Sequence, residues 1–233
     1  MSPIYDFVII ITTFNRKKML ERLLTQIEQE KKNFNILKII IDDGSNEYGM
    51  IERKDFFYVK TEKNHGKKLY WKIINIYFEI VKNLDSKYYI VLPDDVEIKV
   101  NFFEESIRLF EKINDEKKIC LNLLMDETRR NKINWTNFKP IEFDEFYKTQ
   151  WNDLCFISEK KFFENLNYRI NEISLDRWYQ NENLSSGVGE QISIRLNNLG
   201  LSMYHVKRTL VIHDEHESKM NPTERNKNKL IAR

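Results

Sequence analysis

Residues 7–16 read Phe-Val-Ile-Ile-Ile-Thr-Thr-Phe-Asn-Arg, and this stretch decides the fold. Its first five residues are apolar and mostly β-branched, which is typical of a strand covered on both faces. Polar residues then interrupt the strand, and residues 17–30 place apolar side chains on one helical face. The stretch therefore predicts a buried strand followed by a helix, the first unit of an α/β sheet.

The same pattern recurs twice further along the chain. Residues 37–41 form a second run, apolar except for Lys38, that ends in Asp-Asp-Gly-Ser-Asn, and residues 88–92 form a third that ends in Pro-Asp-Asp-Val-Glu. A short strand over 56–60 and an apolar helix over 69–82 are predicted between them. This order predicts a Rossmann-like, mostly parallel central sheet flanked by helices, in a single domain. Such sheets bind ligands beyond the carboxyl ends of their strands.

The composition narrows the class of protein. The chain has 233 residues, 41% of them hydrophobic, and 38 basic against 36 acidic side chains. The near-neutral balance gives no general electrostatic support for nucleic-acid binding. No apolar stretch near the start is long enough to span a bilayer, and Cys120 and Cys155 form no C-x-x-C pair. We therefore expect a protein of the cytoplasm, without a transmembrane segment, a disulfide scaffold or structural zinc.

Residue usage also bears on the source. Ala232 is the only alanine, whereas residues with AT-rich codons such as Lys, Asn and Ile are abundant. This bias indicates an AT-rich genome, that of a low-GC bacterium, a phage or a large virus. The predicted cytoplasm is then that of a bacterium, or of the host cell if the source is viral.

Acidic residues follow two of the predicted strands. Asp94, Asp95 and Glu97 are the oxygen ligands that Mg²⁺ or Mn²⁺ prefers, although Pro-Asp-Asp is also good turn chemistry. Asp42 and Asp43 are suited to bind a ribose hydroxyl or a base N–H, or to form an Asp-Gly-Ser turn.

The second half of the sequence carries fewer signals. A helix is predicted near residues 158–166, and Asn101 with Glu104 predicts a capping box that opens a helix to about residue 113. A glycine-containing loop over 185–189 leads to Glu190 and a helix that stops at Gly200. A strand from about 203 to 212 is expected to follow. His65 and His205 have no companion pattern and are interpreted as ordinary surface or packing residues.

Four of these segments, in this order, resemble family 2 glycosyltransferases of the A-type (GT-A) fold. The similar segments are the Thr-Thr-Phe-Asn-Arg stretch at 12–16, Asp-Asp-Gly-Ser at 42–45, the D-x-D region at 94–97, and residues 187–213, which resemble the G-E-D segment and the later strand that ends in His. The resemblance covers roughly residues 5–215.

The resemblance implies a role for each matching residue. The nucleotide-sugar would be bound by a set of residues in the first half, with Phe14 against the base and Asp42 or Asp43 reading the base or ribose: Thr12, Phe14, Arg16, Asp42, Asp43, Asn64, Gly66, Lys67 and Asp94. A Mn²⁺ or Mg²⁺ ion would be held by Asp95, Glu97 and His213.

The sequence departs from the family pattern at the position of the catalytic base. Gln191 stands where the G-E-D segment has its final acid, and glutamine cannot act as a base. Glu190 is then the candidate base, with Asp153 as the alternative. The alternative interpretation is that Glu190 has only a structural role, as an acid near a helix N-terminus, where the helix dipole favours negative charge.

These features together predict a metal-dependent, inverting, hexosyltransferase-like enzyme that uses a nucleotide-diphosphate sugar, with UDP as the favoured nucleotide. The acceptor would be a hydroxyl of a glycan, a protein or, for a virus, a modified DNA base. Residues 1–100 would bind the donor, residues 101–215 the acceptor, and residues 216–233 would form a basic tail. The alternatives are a sugar-phosphate nucleotidyltransferase, which would need a glycine-rich phosphate loop after the first strand, and a noncatalytic sugar- or nucleic-acid-binding module on a GT-A scaffold.

Overall fold

The computed structural model describes residues 4–49, 56–125, 139–152, 155–179 and 181–213. The first half contains β1 (Tyr5–Thr13), α1 (Lys17–Glu30), β2 (Ile36–Asp42), β3 (Phe57–Lys60), α2 (Tyr70–Lys82), β4 (Ser86–Pro93) and β5 (Val96–Ile98). The second half contains α3 (Phe102–Lys112), β6 (Lys118–Asn122), β7 (Ile141–Glu142), β8 (Phe146–Thr149), β9 (Phe156–Ser158), α4 (Lys161–Asn165), α5 (Val188–Asn198), β10 (Ser202–Val206) and β11 (Val211–His213).

Within the described ranges, nine strands form one sheet in the order β3-β2-β1-β4-β9-β6-β10-β8-β7. The pairs from β3 to β4 are parallel, as the three predicted strand units require. β9 joins the two halves through antiparallel pairs with β4 and β6, and β10 lies parallel to β6. The predicted α/β class, a Rossmann-like sheet flanked by helices in a single domain, is confirmed.

Strand β1 is apolar throughout because helices cover both of its faces. Phe7, Ile9 and Ile11 pack in the cluster that contains α1 and α3, whereas Val8 and Ile10 pack in the cluster that contains α2, α4 and α5. Each such side chain, when fully buried, contributes about 1.5–3 kcal/mol to folding. The sheet is therefore held rigidly between two apolar layers, and its strand ends are fixed relative to one another.

Two predicted elements differ in detail. The helix after Asn101 forms, but Asn101 is left-handed (φ +59°) and its side chain makes no cap hydrogen bond. Instead its backbone N–H donates to Glu30, and Lys32 bonds Asn101 and Glu104. The expected capping box is therefore wrong, because residues at the end of α1 satisfy both of its side chains.

The strand expected from about 203 to 212 is divided. β10 joins the main sheet, whereas β11 forms a separate two-stranded antiparallel ribbon with β5. In this ribbon His213 is paired with Val96, directly after the acidic residues that follow β4. None of the described helices is long and apolar enough to cross a membrane.

Candidate functional site

The carboxyl ends of β1, β2 and β4 meet at one edge of the sheet. Thr13 is paired with Asp42 across β1 and β2, and Thr12 with Pro93 across β1 and β4. Beyond the strands, the Asp43 N–H donates to the Thr13 carbonyl at 2.9 Å, and the Asp94 N–H donates to the Thr12 carbonyl at 3.1 Å. The three polar clusters singled out in the sequence therefore surround one site.

Two buried carboxylates lie at its centre. Asp94 and Asp95 are only 3% and 5% exposed, and Nη1 of Arg16 donates to both, at 3.1 Å to Asp94 Oδ1 and 2.7 Å to Asp95 Oδ2. The Thr13 hydroxyl donates to the other oxygen of Asp94 at 2.6 Å. His213 Nε2 lies 3.5 Å from Asp95 Oδ2.

The ionisation of this cluster reflects its burial. Removal from water raises the pKa of Asp94 to about 6, although Arg16 and the Thr13 hydroxyl act in the opposite direction. Burial alone would lower the pKa of Arg16, but the two carboxylates outweigh it and raise that pKa above its ordinary value. Arg16 is therefore a fixed positive charge between the two acids.

Of the three residues expected to bind metal, two lie together and one faces a different partner. Asp95 and His213 are neighbours, whereas Glu97 forms an ion pair with Arg22 of α1 at 2.8 Å. Over the part of the chain that the structure describes, no group of three His, Cys, Asp or Glu side chains could hold a metal ion. Asp95 and His213 fit a metal that takes its remaining ligands from a bound diphosphate, which is how Mg²⁺ is commonly held with nucleotides.

The second acidic pair is held by the segments that follow β2 and β3. Asp42 accepts hydrogen bonds from the Ser45 N–H at 2.8 Å and from the Tyr58 hydroxyl. Its side chain is fully buried. Gly44 follows at φ +71°, and a Cβ on it would lie 2.4 Å from the backbone carbon of Lys63, so only glycine allows the two segments to pack.

Asp43 is enclosed by residues 64–66. Its Oδ1 is 2.9 Å from the His65 N–H and 2.7 Å from His65 Nδ1, and its Oδ2 accepts from the Asn64 side chain at 3.2 Å and the Gly66 N–H at 3.3 Å. Burial raises the pKa of Asp43, and its bonds to His65 offset only part of that effect. His65 is therefore not an ordinary surface residue. The only feature of the sequence that indicated a place for His65 at the site was its position between Asn64 and Gly66.

Sequence reasoning also missed two tyrosine hydroxyl groups at the site. The buried Tyr70 hydroxyl lies 3.0 Å from Thr12 Oγ1, and the Tyr48 hydroxyl lies 3.1 Å from Ser45 Oγ and 3.5 Å from Thr13 Oγ1. Burial raises the pKa of both tyrosines, which are therefore neutral donors. Tyr70 lies in an apolar helical pattern, which predicts a core residue and conceals its contact with the site.

The loop between β1 and α1 forms one rim. Asn15 has φ +51°, and its side-chain oxygen accepts from the N–H groups of Asn46 and Glu47 at 2.8 and 3.1 Å. Phe14, the candidate for stacking on a base, is half-buried beside it. The Lys67 ammonium donates to the backbone carbonyl of Glu182 and so joins the two halves of the sequence.

The candidate base lies at the start of α5. Glu190 forms a 2.8 Å ion pair with Arg177, whose Nε donates to the Ser185 carbonyl at 3.3 Å. Gly187, at φ +78°, makes room for Arg177, because a Cβ there would lie 3.0 Å from Arg177 Nε. The alternative base, Asp153, and the tail over 216–233 lie outside the described residues.

Polar clusters at the ends of β1, β2 and β4 form the candidate site, and comparison with known proteins identifies the family and the fold. The family model "Glycosyl transferase family 2" matches residues 8–170. The chain therefore belongs to glycosyltransferase family 2, which confirms the GT-A class predicted from the sequence. No curated protein matches it.

Two solved structures share the fold. TarS residues 1–349 from S. aureus, in complex with UDP-GlcNAc, has a TM-score of 0.59 at 12% identity, over 92% of this chain and 60% of that one. The mannosyltransferase PcManGT from Pyrobaculum calidifontis, in complex with GDP-Man and Mn²⁺, has a TM-score of 0.55 at 9% identity, over 85% of this chain and 54% of that one. The chain thus spans little more than half the length of these structures.

Proposed function

We propose that the chain is a metal-dependent, inverting glycosyltransferase that moves a hexose from a nucleotide-diphosphate sugar, UDP-sugar first, to an acceptor hydroxyl. The observation that carries the proposal is the pair of buried carboxylates, Asp94 and Asp95, set beside Arg16 and His213 at the strand ends. Such a site binds a diphosphate and a divalent ion together. The donors bound by TarS and PcManGT support a nucleotide-sugar, although they differ in the base.

Residues 1–100 would form the donor half of the site. Asp43 already accepts four hydrogen bonds from residues 64–66, which fills the lone-pair sites of a carboxylate. Asp42 accepts two and retains capacity, and a ligand would reach it by displacing Tyr58. We therefore assign contact with the ribose or base to Asp42, and to Asp43 the positioning of Asn64, Gly66 and the neighbouring Lys67.

The remaining donor contacts are assigned from where each residue lies relative to the strand ends. Thr12 and Phe14 line the end of β1, and Arg16 is the cation placed to meet the diphosphate. Asp95 and His213 would hold Mn²⁺ or Mg²⁺, with Glu97 as a further ligand only if it leaves Arg22. When bound, the ion would offset the negative charge that grows on the leaving nucleoside diphosphate.

Residues 101–215 would form the acceptor half. Glu190 is the proposed base, which takes the proton of the attacking acceptor hydroxyl as the bond to the anomeric carbon forms and the diphosphate leaves. General-base catalysis of this kind contributes roughly 10²–10⁴ in rate. Inversion follows from direct, in-line attack without a covalent sugar–enzyme intermediate. We leave the acceptor as a glycan, a protein or a modified DNA base.

We also propose a cytoplasmic location, in a bacterium or in the host cell of a virus. Both cysteines of the sequence, Cys120 and Cys155, are buried free thiols, as is usual in a reducing compartment.

A ligand screen by thermal unfolding tests the donor and the metal together. We expect one class of UDP- or GDP-sugar to raise the unfolding midpoint with Mn²⁺, because a ligand that binds only the folded state stabilises it. Asp95→Asn should fold and lose the Mn²⁺-dependent part of the shift, whereas Arg108→Gln, on the exposed face of α3, should retain it. An equal shift in Asp95→Asn and the parent would remove Asp95 from the metal site.

The products distinguish the alternative functions. A glycosyltransferase given its donor and water as acceptor releases nucleoside diphosphate and free sugar. A nucleotidyltransferase would instead exchange pyrophosphate, and a noncatalytic module would bind the donor and release nothing.

A further inference from the structure

Arg16 occupies the position between the two buried carboxylates that a cation would be expected to fill. One nitrogen, Nη1, donates to both Asp94 and Asp95, and the Arg16 side chain is 12% exposed against 4% and 7% for the acids. The guanidinium is therefore the most exposed of the three charged groups, although it is itself largely buried. Two adjacent buried carboxylates need such a partner, because uncompensated charge is strongly disfavoured away from water.

The two acids have different neighbours besides Arg16. Asp94 is also held by the Thr13 hydroxyl at 2.6 Å, whereas Asp95 shares its Oδ2 between Arg16 and His213. Displacement of Arg16 would leave Asp94 bonded to the Thr13 hydroxyl and Asp95 beside His213.

The charges of the cluster favour an exchange of partners. With both acids ionised, Asp94, Asp95 and Arg16 together carry one negative charge. A divalent ion alone would make the cluster positive beside a guanidinium, and a nucleotide-diphosphate sugar alone would add two negative charges to it. Bound together, the ion and the donor leave the net charge unchanged, and the diphosphate offers Arg16 a replacement anion with suitable geometry.

We propose that Arg16 holds the place of the metal ion in the donor-free protein and releases Asp95 only when a diphosphate takes the guanidinium. The inference rests on the proposed function, specifically on Asp95 as a metal ligand. Metal and donor would then bind with strong mutual dependence, and Arg16 is the residue that links them.

Mn²⁺ titration followed by electron paramagnetic resonance tests this without any measurement of activity. Arg16→Gln should bind Mn²⁺ alone at least about tenfold more tightly than the parent, because a neighbouring positive charge is gone. The same variant should bind UDP or GDP without metal about 10- to 150-fold more weakly, since a charge-assisted hydrogen bond is lost. Arg16→Lys should bind Mn²⁺ like the parent, and Arg108→Gln controls for the loss of one surface arginine.

Movement of Arg16 can be followed in the parent protein, which keeps the test valid if Arg16→Gln does not fold. In ¹⁵N-arginine NMR, the side-chain signal that is absent from Arg16→Lys should shift when Mg²⁺ and nucleotide are added together, and remain in place with Mg²⁺ alone. An unmoved signal in a saturated complex would overturn the proposal.

The outcomes separate this inference from the proposed function. If the parent binds Mn²⁺ with nucleotide but Arg16→Gln gains no affinity for Mn²⁺ alone, the role of Arg16 is wrong and the metal site stands. If neither protein binds Mn²⁺ under any condition, the metal dependence itself is wrong and this inference falls with it.

Discussion

Gln191 bonds both backbone groups of Asn171. Its Oε1 accepts the Asn171 N–H at 2.7 Å, and its Nε2 donates to the Asn171 carbonyl at 3.1 Å. Only a side-chain amide provides one donor and one acceptor in this arrangement. The glutamine that stands where the family pattern has an acid therefore fastens α5 to the segment that carries Arg177, and the neighbouring Glu190 retains the carboxylate.

Gln191→Glu should destabilise the protein and give no gain in activity. A glutamate loses the donor and directs a negative charge at a carbonyl oxygen, so we expect a loss of about 0.5–1.5 kcal/mol in the free energy of unfolding. Urea denaturation measures it. Gln150→Glu is the matched control, because Gln150 bonds Asn197 through its backbone carbonyl. Equal stability of Gln191→Glu and the parent would show that the amide bonds contribute nothing.

Glu190→Gln should bind the donor normally and transfer sugar on the order of 10²-fold more slowly, because the proton moves only as the acceptor attacks. Donor affinity by calorimetry and single-turnover transfer rates check the two halves of this expectation. Asp153→Asn is the comparison. Parental transfer by Glu190→Gln together with an inactive Asp153→Asn would move the base to Asp153.

Loss of the Arg177 guanidinium should lower the transfer rate and leave donor affinity unchanged. Its guanidinium holds Glu190 at 2.8 Å while Gly187 leaves space for it. Arg177→Ala should lower the transfer rate about 10- to 100-fold through misplacement of Glu190, and Arg177→Lys should recover part of the loss. Arg108→Ala removes an arginine from an exposed ion-pair network and should leave kcat unchanged. A rise in donor KM at constant kcat would instead make Arg177 a donor-binding residue.

Gly44→Ala and Gly49→Ala form a matched pair. The new Cβ at Gly44 would overlap the backbone of Lys63 and Asn64, at 2.4 and 2.6 Å, on a residue with φ +71°. We expect Gly44→Ala to lower the free energy of unfolding by about 2–4 kcal/mol. It should also weaken nucleotide binding, because the 64–66 segment must shift. A Cβ added to Gly49 would have nothing within 4 Å of it. Gly49→Ala should therefore change the free energy of unfolding by no more than about 0.5 kcal/mol. Similar unfolding midpoints for the two variants would contradict this packing.

Asp94 should make the protein less stable as the pH rises from about 4 to 6. Burial raises the pKa of Asp94 from 3.8 to about 6, so in this window the folded form keeps a proton that the unfolded chain has released. The resulting stabilisation is complete below the lower value and is lost as the pH passes the higher one. Relative to Asp94→Asn, the parent should lose about 2–3 kcal/mol across the window.

Urea denaturation at several pH values measures this difference. Asp115→Asn is the control. Burial acts to raise the pKa of Asp115, but hydrogen bonds from Tyr204 and Lys148 outweigh it and lower that pKa. The effect of Asp115 on stability therefore changes with pH only below about pH 4. Parallel stability profiles for the parent and Asp94→Asn between pH 4 and 6 would show that folding does not raise the pKa of Asp94.

The sequence predicted the elements whose signal is local. β1 and β4 contain continuous apolar runs, and β2 contains one interrupted only by Lys38, because helices cover both faces of the sheet. α1 and α2 have clear helical periodicity. Their order predicted the fold, and the polar residues that end the strands indicated the candidate site. Parallel strands carry their carboxyl ends to one edge, so proximity followed from topology.

What the sequence did not predict depends on partners far along the chain. β8 is a four-residue strand beside β10, and β11 leaves the main sheet to pair with β5. His65 meets Asp43 across a turn, and Glu97 meets Arg22 on a helix that precedes it by many residues. None of these pairings has a local pattern, because each is selected by the packing of the finished sheet.

The β5–β11 ribbon has a consequence for biosynthesis. Arg16 and His213 come from opposite ends of the described chain and meet on one oxygen of Asp95. A nascent chain that has emerged only as far as β10 holds both acids and Arg16, but lacks the imidazole and the partner strand of β5. Long-range pairing of this kind forms late in folding. The proposed ion site would thus be completed only after the strands of the main sheet have left the ribosome.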